Sequence, residues 1–447
     1  MKSLLFLSLG LLAATHVAAQ VQDNSCRFVL IHVGRQGYQM GTNYFAGGGV
    51  IIGCDSTRVR MSSDSLASYG GGVGIVQFIG NVKYEDTTIT MTAANGTYFK
   101  AGERWEARGN VVTRNLENGS TLSGPSLDYY RALPGTRDTI EMYAIGRPRI
   151  NYIPTDSTGA AEEPYLINAD RVRLKGNDRV WAAGKVTIDR SDFAATADSM
   201  RLDTGAGDDA TLIGTPSVRG LGSDSFNLTG RRIDLKLENR TLSYVKSLGN
   251  AHAISSDLDL VADTIGLDVN DRKLVQTLAW GDSIRPYAHS ADFAIRADSL
   301  AFDTPGQRLK ESRAFGTAWV GGTVDSNSVE KDCSRDYRVC DWLRGDTVVA
   351  QFVARDSAGK TRSVLQRVDA AQTARALYRT EKKGGGPKGM NYSRADRIIV
   401  TMKQSGPEGV DRVELQGKVD GVQLDPQAPA TPSDSTAPKP ATGRGGP

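Results

Sequence analysis

The most regular hydrophobic pattern in the chain has a period of two residues and lies between positions 80 and 112. Ile89 and Met91 fall on one face of an extended segment, and Thr88, Thr90 and Thr92 fall on the other. A period of two is typical of a β-strand with one buried face. The Asn95-Gly96 pair is typical of a turn and predicts the end of a strand. The segment therefore predicts one hairpin-rich β unit.

Two short landmarks recur and extend this pattern over most of the chain. The first is Gly, a variable residue and a small or apolar residue; the second is a small residue, Asp and an alternating strand. Their spacing is roughly 34 residues, which is typical of a repeat architecture with about ten units. The first landmark begins at Gly80, Gly109, Gly146, Gly184, Gly214, Gly249, Gly281, Gly316 and Gly417. The second contains Asp170, Asp198, Asp263, Asp298 and Asp396, with weaker relatives near residues 63, 230 and 345.

The same pattern predicts an all-β fold. Each unit has room for three or four short strands, and no segment has the 10–15-residue helical periodicity that a parallel crossover connection requires. We therefore expect antiparallel layers stacked along one axis. The simplest role for each repeated Asp is local, because its carboxylate can accept hydrogen bonds from nearby backbone amides where a strand opens.

Composition agrees with thin, turn-rich β structure. Only 39% of the 447 residues are hydrophobic and 7% aromatic, whereas there are 49 glycines, so one thick core is not expected. The net charge of +3 is close to neutral. Since no basic run is interleaved with aromatic residues, nucleic acid is not an expected partner.

The first 19 residues have the features of an export signal. Lys2 supplies the positive start, residues 4–14 the apolar stretch, and Val17-Ala18-Ala19 a small-residue cleavage site. The alternative is an uncleaved membrane anchor, although the apolar run is short for a spanning helix. We expect an exported protein.

The four cysteines predict disulfide bonds, because an even number in an exported protein favours pairing. Three pairings are open, and the simplest joins Cys333 to Cys340 and Cys26 to Cys54. The spacings do not fit a four-cysteine zinc site. The candidate disulfide cysteines are Cys26, Cys54, Cys333 and Cys340.

Catalytic motifs are hard to find in the sequence. His32, His252 and His289 lie outside any metal-binding spacing, and neither a nucleophile elbow nor a phosphate-binding loop is present. Acidic residues are plentiful, but they recur as strand openers. We therefore expect no catalytic residue, no metal, no cofactor and no enzymatic activity.

An apolar stripe is the strongest candidate for a functional feature. Stacked repeats would align it along the long axis, either as the closed core between two sheets or as an open groove for acyl chains. The spacing alone does not separate these readings, and the residues by themselves favour the core. The candidate positions are Ile89, Met91, Val172, Leu174, Met200, Leu202, Ile233, Leu235, Ile265, Leu267, Leu300 and Phe302.

The order of these motifs resembles the OstA-like (organic solvent tolerance) family, which includes the periplasmic bridge protein of lipopolysaccharide transport and the N-terminal domain of its outer-membrane partner. The resemblance is carried by residues 105–111, Trp-Glu-Ala-Arg-Gly-Asn-Val, by the second Gly-Asn-Val at residues 80–82, and by the Ala-Asp strands. It covers roughly residues 45–425. It is strongest over 60–150 and weakest over 324–344.

This resemblance implies an elongated, antiparallel β-jelly roll with an open apolar groove that carries acyl chains, without reaction chemistry or a cofactor. It also implies partners: lipopolysaccharide or a similar lipid, other jelly-roll transport proteins joined by edge-strand pairing, and inner- and outer-membrane transport components. The chain departs from the family in two ways. It is much longer than a bridge protein, and it ends in a Pro/Ala/Thr-rich tail where the outer-membrane partner has a barrel.

Together these patterns predict six segments and one leading function. We expect a periplasmic lipid-binding bridge or chaperone; the alternatives are a structural β-solenoid scaffold that binds no lipid and a carbohydrate-active β-helix enzyme. The predicted segments are a signal peptide (1–19), an N-terminal segment (20–44), OstA-like repeats (45–323), a cysteine-containing insertion (324–344), further repeats (345–424) and a disordered tail (425–447).

Overall fold

The protein is all-β, as the alternating pattern predicts. The described residues contain no α-helix, and their paired strands are antiparallel. They divide into two compact units, unit 1 (Met1–Ile145) and unit 2 (Gly146–Pro447). The computed structural model describes residues 27–39, 43–55, 58–69, 74–155, 158–205, 208–221, 226–238, 241–255, 258–290, 293–305, 308–322, 341–357, 360–380, 389–404 and 410–424.

Several predicted features lie outside these ranges. They are the signal peptide, Cys26, Cys333, Cys340 and the C-terminal tail. Cys54 lies within the described residues and is disulfide-bonded. Residues 341–344, predicted to belong to a strand-poor insertion, form the start of a long strand instead.

Unit 1 is an antiparallel meander in which each strand pairs with the next. Most of its strands have 10–12 residues, so they are longer than the short strands predicted for each repeat. The strands bend at bulges and continue where breaks were expected. They are β1 (Phe28–Gln39), β2 (Asn43–Cys54), β3 (Arg60–Tyr69), β4 (Ile75–Glu85), β5 (Ile89–Phe99), β6 (Arg104–Asn115), β7 (Thr121–Tyr130) and β8 (Glu141–Ile145).

Unit 2 contains the remaining described strands, which are more varied in length. They are β9 (Arg149–Tyr152), β10 (Tyr165–Asn168), β11 (Arg171–Lys175), β12 (Arg179–Asp189), β13 (Phe193–Asp203), β14 (Asp209–Ile213), β15 (Ser217–Gly220), β16 (Asn227–Thr229), β17 (Arg232–Glu238), β18 (Thr241–Ile254), β19 (Asp259–Asn270), β20 (Lys273–Trp280), β21 (Tyr287–His289), β22 (Phe293–Arg296), β23 (Ser299–Asp303), β24 (Glu311–Gly322), β25 (Asp341–Ser357), β26 (Lys360–Thr380), β27 (Gly389–Met402), β28 (Val410–Gln416) and β29 (Asp420–Leu424).

The long strands of unit 2 each take part in two ladders of hydrogen-bonded strands, one on either side of a bulge. In β13, for example, residues 199–203 pair with β14, whereas residues 193–196 pair with β15. The first ladder runs β11, β12, β13, β14, β17, β18, β19, β20, β23 and β24. The second ladder includes β9, β10, β12, β13, β15, β16, β18, β19, β21, β22 and β24.

The first sequence landmark forms the bulge or the corner next to it. At Gly184 and Lys185 both residues have a left-handed backbone, with φ of 82° and 48°, and the register of β12 with β13 shifts there. A left-handed residue costs little only for glycine. The left-handed backbone therefore explains why a glycine recurs at this position. Gly80, Gly109, Gly146, Gly214, Gly249 and Gly316 share this left-handed pair of residues.

The second landmark meets the first across neighbouring strands. A side chain added at Gly214 would place its Cβ 2.3 Å from a carboxylate oxygen of Asp198, and one at Gly316 would meet Asp298 in the same way. The small residue before each Asp is buried, as at Ala197. The two landmarks are therefore one structural device that fixes the register of paired strands. The same Gly–Asp contact occurs at Gly80–Asp64, Gly184–Asp170, Gly281–Asp263 and Gly417–Asp396.

The predicted turn at Asn95-Gly96 is wrong. Both residues lie inside β5, and Gly96 pairs with Phe78 and Ala107 on the neighbouring strands. The indole of Trp105 covers this glycine, so that an added Cβ would lie 2.5 Å from a ring carbon. Close approach of an aromatic ring, and no reversal of the chain, accounts for the glycine.

Candidate functional site

The predicted apolar stripe forms continuous rows on the inner face of the first ladder of unit 2. Directly paired residues share one face of a sheet, and the register links Leu202 through Leu235 to Leu267. A parallel row links Met200 through Ile233 to Ile265. Val172, Leu300 and Phe302 are buried on the same ladder, and Leu174 is partly buried.

The strands between the predicted repeats complete these rows. Leu212 and Val245 lie between predicted positions, and Ala279 continues the row towards Leu300. Sequence reasoning missed them because their strands lack the Asp landmark. The signal that would have found them is the alternation of apolar and polar residues in β14 and β18.

The second ladder presents its own buried row. It links Ile188 through Val218 and Leu228 to Leu260, and Ile295 lies further along it. Two inward-facing apolar surfaces thus belong to the same unit, which is the arrangement that a two-sheet core or a lined interior requires.

The interior from β14 to β20 is aliphatic. No aromatic and no charged side chain is buried in the described parts of these strands; the buried polar ones are Ser247, Thr264 and Thr277. Ser247 is satisfied by the carbonyl oxygen of Thr229 at 2.8 Å. We call this region the aliphatic segment.

Aromatic or polar contacts lie on either side of the aliphatic segment. The Tyr152 hydroxyl, at the end of β9, lies 2.6 Å from the Thr204 hydroxyl beyond β13 and donates to the Asn177 carbonyl. On the other side the Phe293 and Phe352 rings lie 5.2 Å apart. The aliphatic segment is therefore bounded.

Ile89 and Met91, the remaining predicted positions, are buried in unit 1 among aromatic rings. Tyr84 of β4 and Trp105 of β6 pair with residues at opposite ends of β5. Their rings are nevertheless 5.3 Å apart. Such a contact requires the bent strands to close on themselves. The Trp105 ring nitrogen has no hydrogen-bond partner among the described residues, so packing alone holds the ring.

A buried polar cluster closes the same interior. The Tyr84 and Tyr129 hydroxyls both donate to Asp86 at 2.8 Å, and Tyr98 donates to Glu103 at 2.8 Å. Arg131 contacts both carboxylates, at 2.7 Å from Glu103 and 3.7 Å from Asp86. We call these six residues the tyrosine–arginine cluster.

The surroundings of this cluster hold its tyrosines in the neutral form. Asp86 is 7% exposed and Glu103 is 3% exposed. Burial, reinforced by the neighbouring carboxylates, raises the pKa of Tyr84, Tyr98 and Tyr129 well above the usual value for a phenol. Protonated phenols can donate to both carboxylates, and the cluster is internally satisfied.

Sequence reasoning did not single out the tyrosine–arginine cluster. Asp86, Glu103 and Arg131 follow the ends of β4, β5 and β7, where charged residues ordinarily face solvent. Two backbone amides, those of Thr88 and Ile89, donate to Asp86. The available signal was a carboxylate three residues before a buried strand position, which also describes an ordinary turn.

The histidines form one small grouping that their spacing did not reveal. His252 lies 2.8 Å from Asp259, and His289 lies 3.6 Å from the same carboxylate. These residues belong to β18, β19 and β21 and are partly exposed. Within the described residues, no group of three or more His, Cys, Asp or Glu side chains is arranged to hold a metal ion.

No family model matches the chain, and the comparison with curated proteins found no match. The described residues also include no helix that is long and apolar enough to cross a membrane. The class of protein that fold and interior define is an antiparallel all-β protein with bulged, paired strands and a buried apolar lining.

Proposed function

We propose that the protein is an OstA-like, periplasmic lipid-binding bridge or chaperone that carries lipopolysaccharide, or a related lipid, towards the outer membrane. Its strands form an elongated β-jelly roll of about ten repeats, and the acyl chains lie between the two sheets. The observation that carries the proposal is the Gly–Asp device. It recurs in the order of the family motifs and lies at the bulges of strands such as β12, which pairs with β11 before its bulge and with β10 after it.

Edge strands supply the partner contacts in this proposal. β1 pairs with β2, and β29 pairs with β27. Both carry exposed apolar side chains: Ile31 is 55% exposed and Leu424 is 59% exposed. An exposed strand edge with apolar side chains favours strand addition by another protein. Other jelly-roll transport proteins and membrane-bound transport components are the proposed partners.

A structural β-scaffold is the second candidate, and one observation favours it. The predicted groove residues, apart from Leu174, are almost wholly buried, as in a closed core. Lipid binding then requires the aliphatic surfaces to separate. This exchange costs little when acyl chains replace the opposing sheet, because hydrophobic contact is non-directional. A carbohydrate-active β-helix enzyme is disfavoured, since the described strand pairs are antiparallel.

Binding of labelled lipopolysaccharide to the purified full-length protein tests the proposal. We expect saturable binding that unlabelled lipopolysaccharide competes away, with a soluble polysaccharide lacking acyl chains as the negative control. The scaffold alternative expects no binding above that control. Equal competition by the polysaccharide would also contradict the proposal, since it would assign recognition to sugars.

A further inference from the structure

We infer that acyl chains bind in the aliphatic segment of unit 2 and that the interior formed by β4–β7 of unit 1 is locked against them. This inference rests on the proposed function and names the part of the interior that serves it. The observation behind it is the difference in side-chain chemistry between two interiors built by the same bulge device.

The lock in unit 1 consists of the contacts of the tyrosine–arginine cluster, which are hydrogen bonds and ion pairs of defined direction. Opening that interior would break the hydrogen bond from Tyr129 to Asp86, remove Arg131 from its two carboxylates and separate the Tyr84 and Trp105 rings. An acyl chain offers neither a hydrogen bond nor a counter-charge in return, so Asp86 and Glu103 would lose Arg131 while they remain buried. Leaving a buried charged group without its partners is strongly unfavourable.

The aliphatic segment has no comparable lock. Apart from Ser247, Thr264 and Thr277, its buried rows consist of Leu, Ile, Val and Ala side chains, whose contacts depend on area and not on direction. An acyl chain can replace these contacts without leaving a charge unpaired. Buried alanines such as Ala210 and Ala279 also leave room for a chain when the sheets separate.

The dimensions of the segment suit an acyl chain. In the first ladder it spans five neighbouring strands, β14, β17, β18, β19 and β20. At about 4.8 Å between strands this is roughly 19 Å. One leaflet of a bilayer is roughly 15 Å of hydrocarbon, half of the bilayer core. A chain lying across the strands therefore fits between the Tyr152–Thr204 and Phe293–Phe352 closures.

Photolabelling of the unmodified full-length protein tests the inference. The probe is lipopolysaccharide with a photoactivatable diazirine in its acyl chains, and labelled peptides are assigned by mass spectrometry. We expect label in residues 209–280 and at least tenfold less in residues 75–131. Equal labelling of both stretches would overturn the inference and leave the proposed function intact. Failure of all specific labelling would instead overturn the proposed function.

Two matched pairs of variants sharpen this result. Leu235→Trp fills the aliphatic segment and should reduce labelling at least tenfold, whereas Lys236→Trp, on the exposed face of the same strand, should leave it unchanged. Tyr129→Phe removes one hydrogen bond of the lock and should raise labelling of residues 75–131. Tyr143→Phe, at an exposed hydroxyl, is its control. Equal effects within either pair would contradict the inference.

Discussion

The interior of unit 1 and the aliphatic segment of unit 2 are built by the same strand-bending device but are filled by different chemistry. In unit 1, aromatic rings and a buried Asp–Arg–Glu grouping hold the strands together through contacts of defined direction. In the aliphatic segment, the buried contacts are almost entirely non-directional. The same bulged backbone can therefore surround two kinds of interior. The side chains that line it determine whether the contacts across it are directional or can be replaced by other apolar groups.

The strongest test of this comparison removes the cation from the tyrosine–arginine cluster. Arg131→Met leaves Asp86 and Glu103 buried without their counter-charge, which should lower the free energy of unfolding by about 3–5 kcal/mol. Urea unfolding and calorimetry each measure the change in the free energy of unfolding. Arg114→Met, at an exposed position of β6, is the control and should stay within about 0.5 kcal/mol. Similar small effects for both variants would contradict the lock.

Alkaline pH should weaken unit 1 through its buried tyrosines. A tyrosine in an unfolded chain titrates near pH 10, and burial raises the pKa of Tyr84, Tyr98 and Tyr129. The folded state then keeps protons that the unfolded state releases, so this contribution is complete below pH 10 and falls as the pH rises above it.

Unit 2 offers an internal reference for the alkaline test. Burial raises the pKa of Tyr165 to about 12, although nearby Arg190 opposes the shift; its contribution should decline between pH 10 and about 12. Pulse proteolysis, with fragments assigned to each unit, measures both. We expect the fragments of unit 1 to lose protection more steeply. Equal pH dependence in the two units, or none, would contradict the cluster's role.

A smaller effect should test the device that the two regions share. Gly214→Ala combines a left-handed backbone with a Cβ 2.3 Å from Asp198, whereas Gly159→Ala has the left-handed backbone but open space. The left-handed conformation costs about 1–2 kcal/mol for a residue with a side chain. We expect Gly214→Ala to lose more stability than Gly159→Ala in thermal unfolding, and Asp198→Ala to recover part of the difference. Equal losses would remove the steric role of the Gly–Asp contact.

The smallest expected effect concerns a bulge hydrogen bond of unit 1. The Asn81 side chain donates to Asp64 at 2.9 Å on the exposed surface. Because solvent competes for both groups, Asn81→Ala should cost at most about 1 kcal/mol. The same unfolding assay checks this value. A loss as large as that of Arg131→Met would show that a bulge contact contributes as much to the stability of unit 1 as the tyrosine–arginine cluster does.

The all-β class followed from the sequence because alternation and glycine spacing are local properties of the chain. The pairing of Gly214 with Asp198 was not predictable in the same way, since it depends on which strands become neighbours. The prediction of a turn at Asn95-Gly96 was wrong for a related reason. The two residues have the composition of a turn, but Gly96 lies in β5 because the Trp105 ring covers it. Local chemistry predicted strands, whereas register required the structure.

The interior was predicted in part for similar reasons. The stripe from Met200 to Phe302 was identified because those strands follow the Asp landmark. The tyrosine–arginine cluster was missed because Asp86 and Arg131 lie 45 positions apart in the chain and meet only when the meander closes. The sequence also could not decide between a closed core and a groove, because both bury the same alternating residues.

The Gly–Asp contacts give the array a modular unit of length. A strand that shifts by one residue turns its whole apolar face outward, but each Gly–Asp pair accepts only one alignment. A single-residue insertion or deletion between two contacts would therefore displace one of them from its alignment. The continuity of the apolar rows therefore depends on the number of residues between successive Gly–Asp contacts.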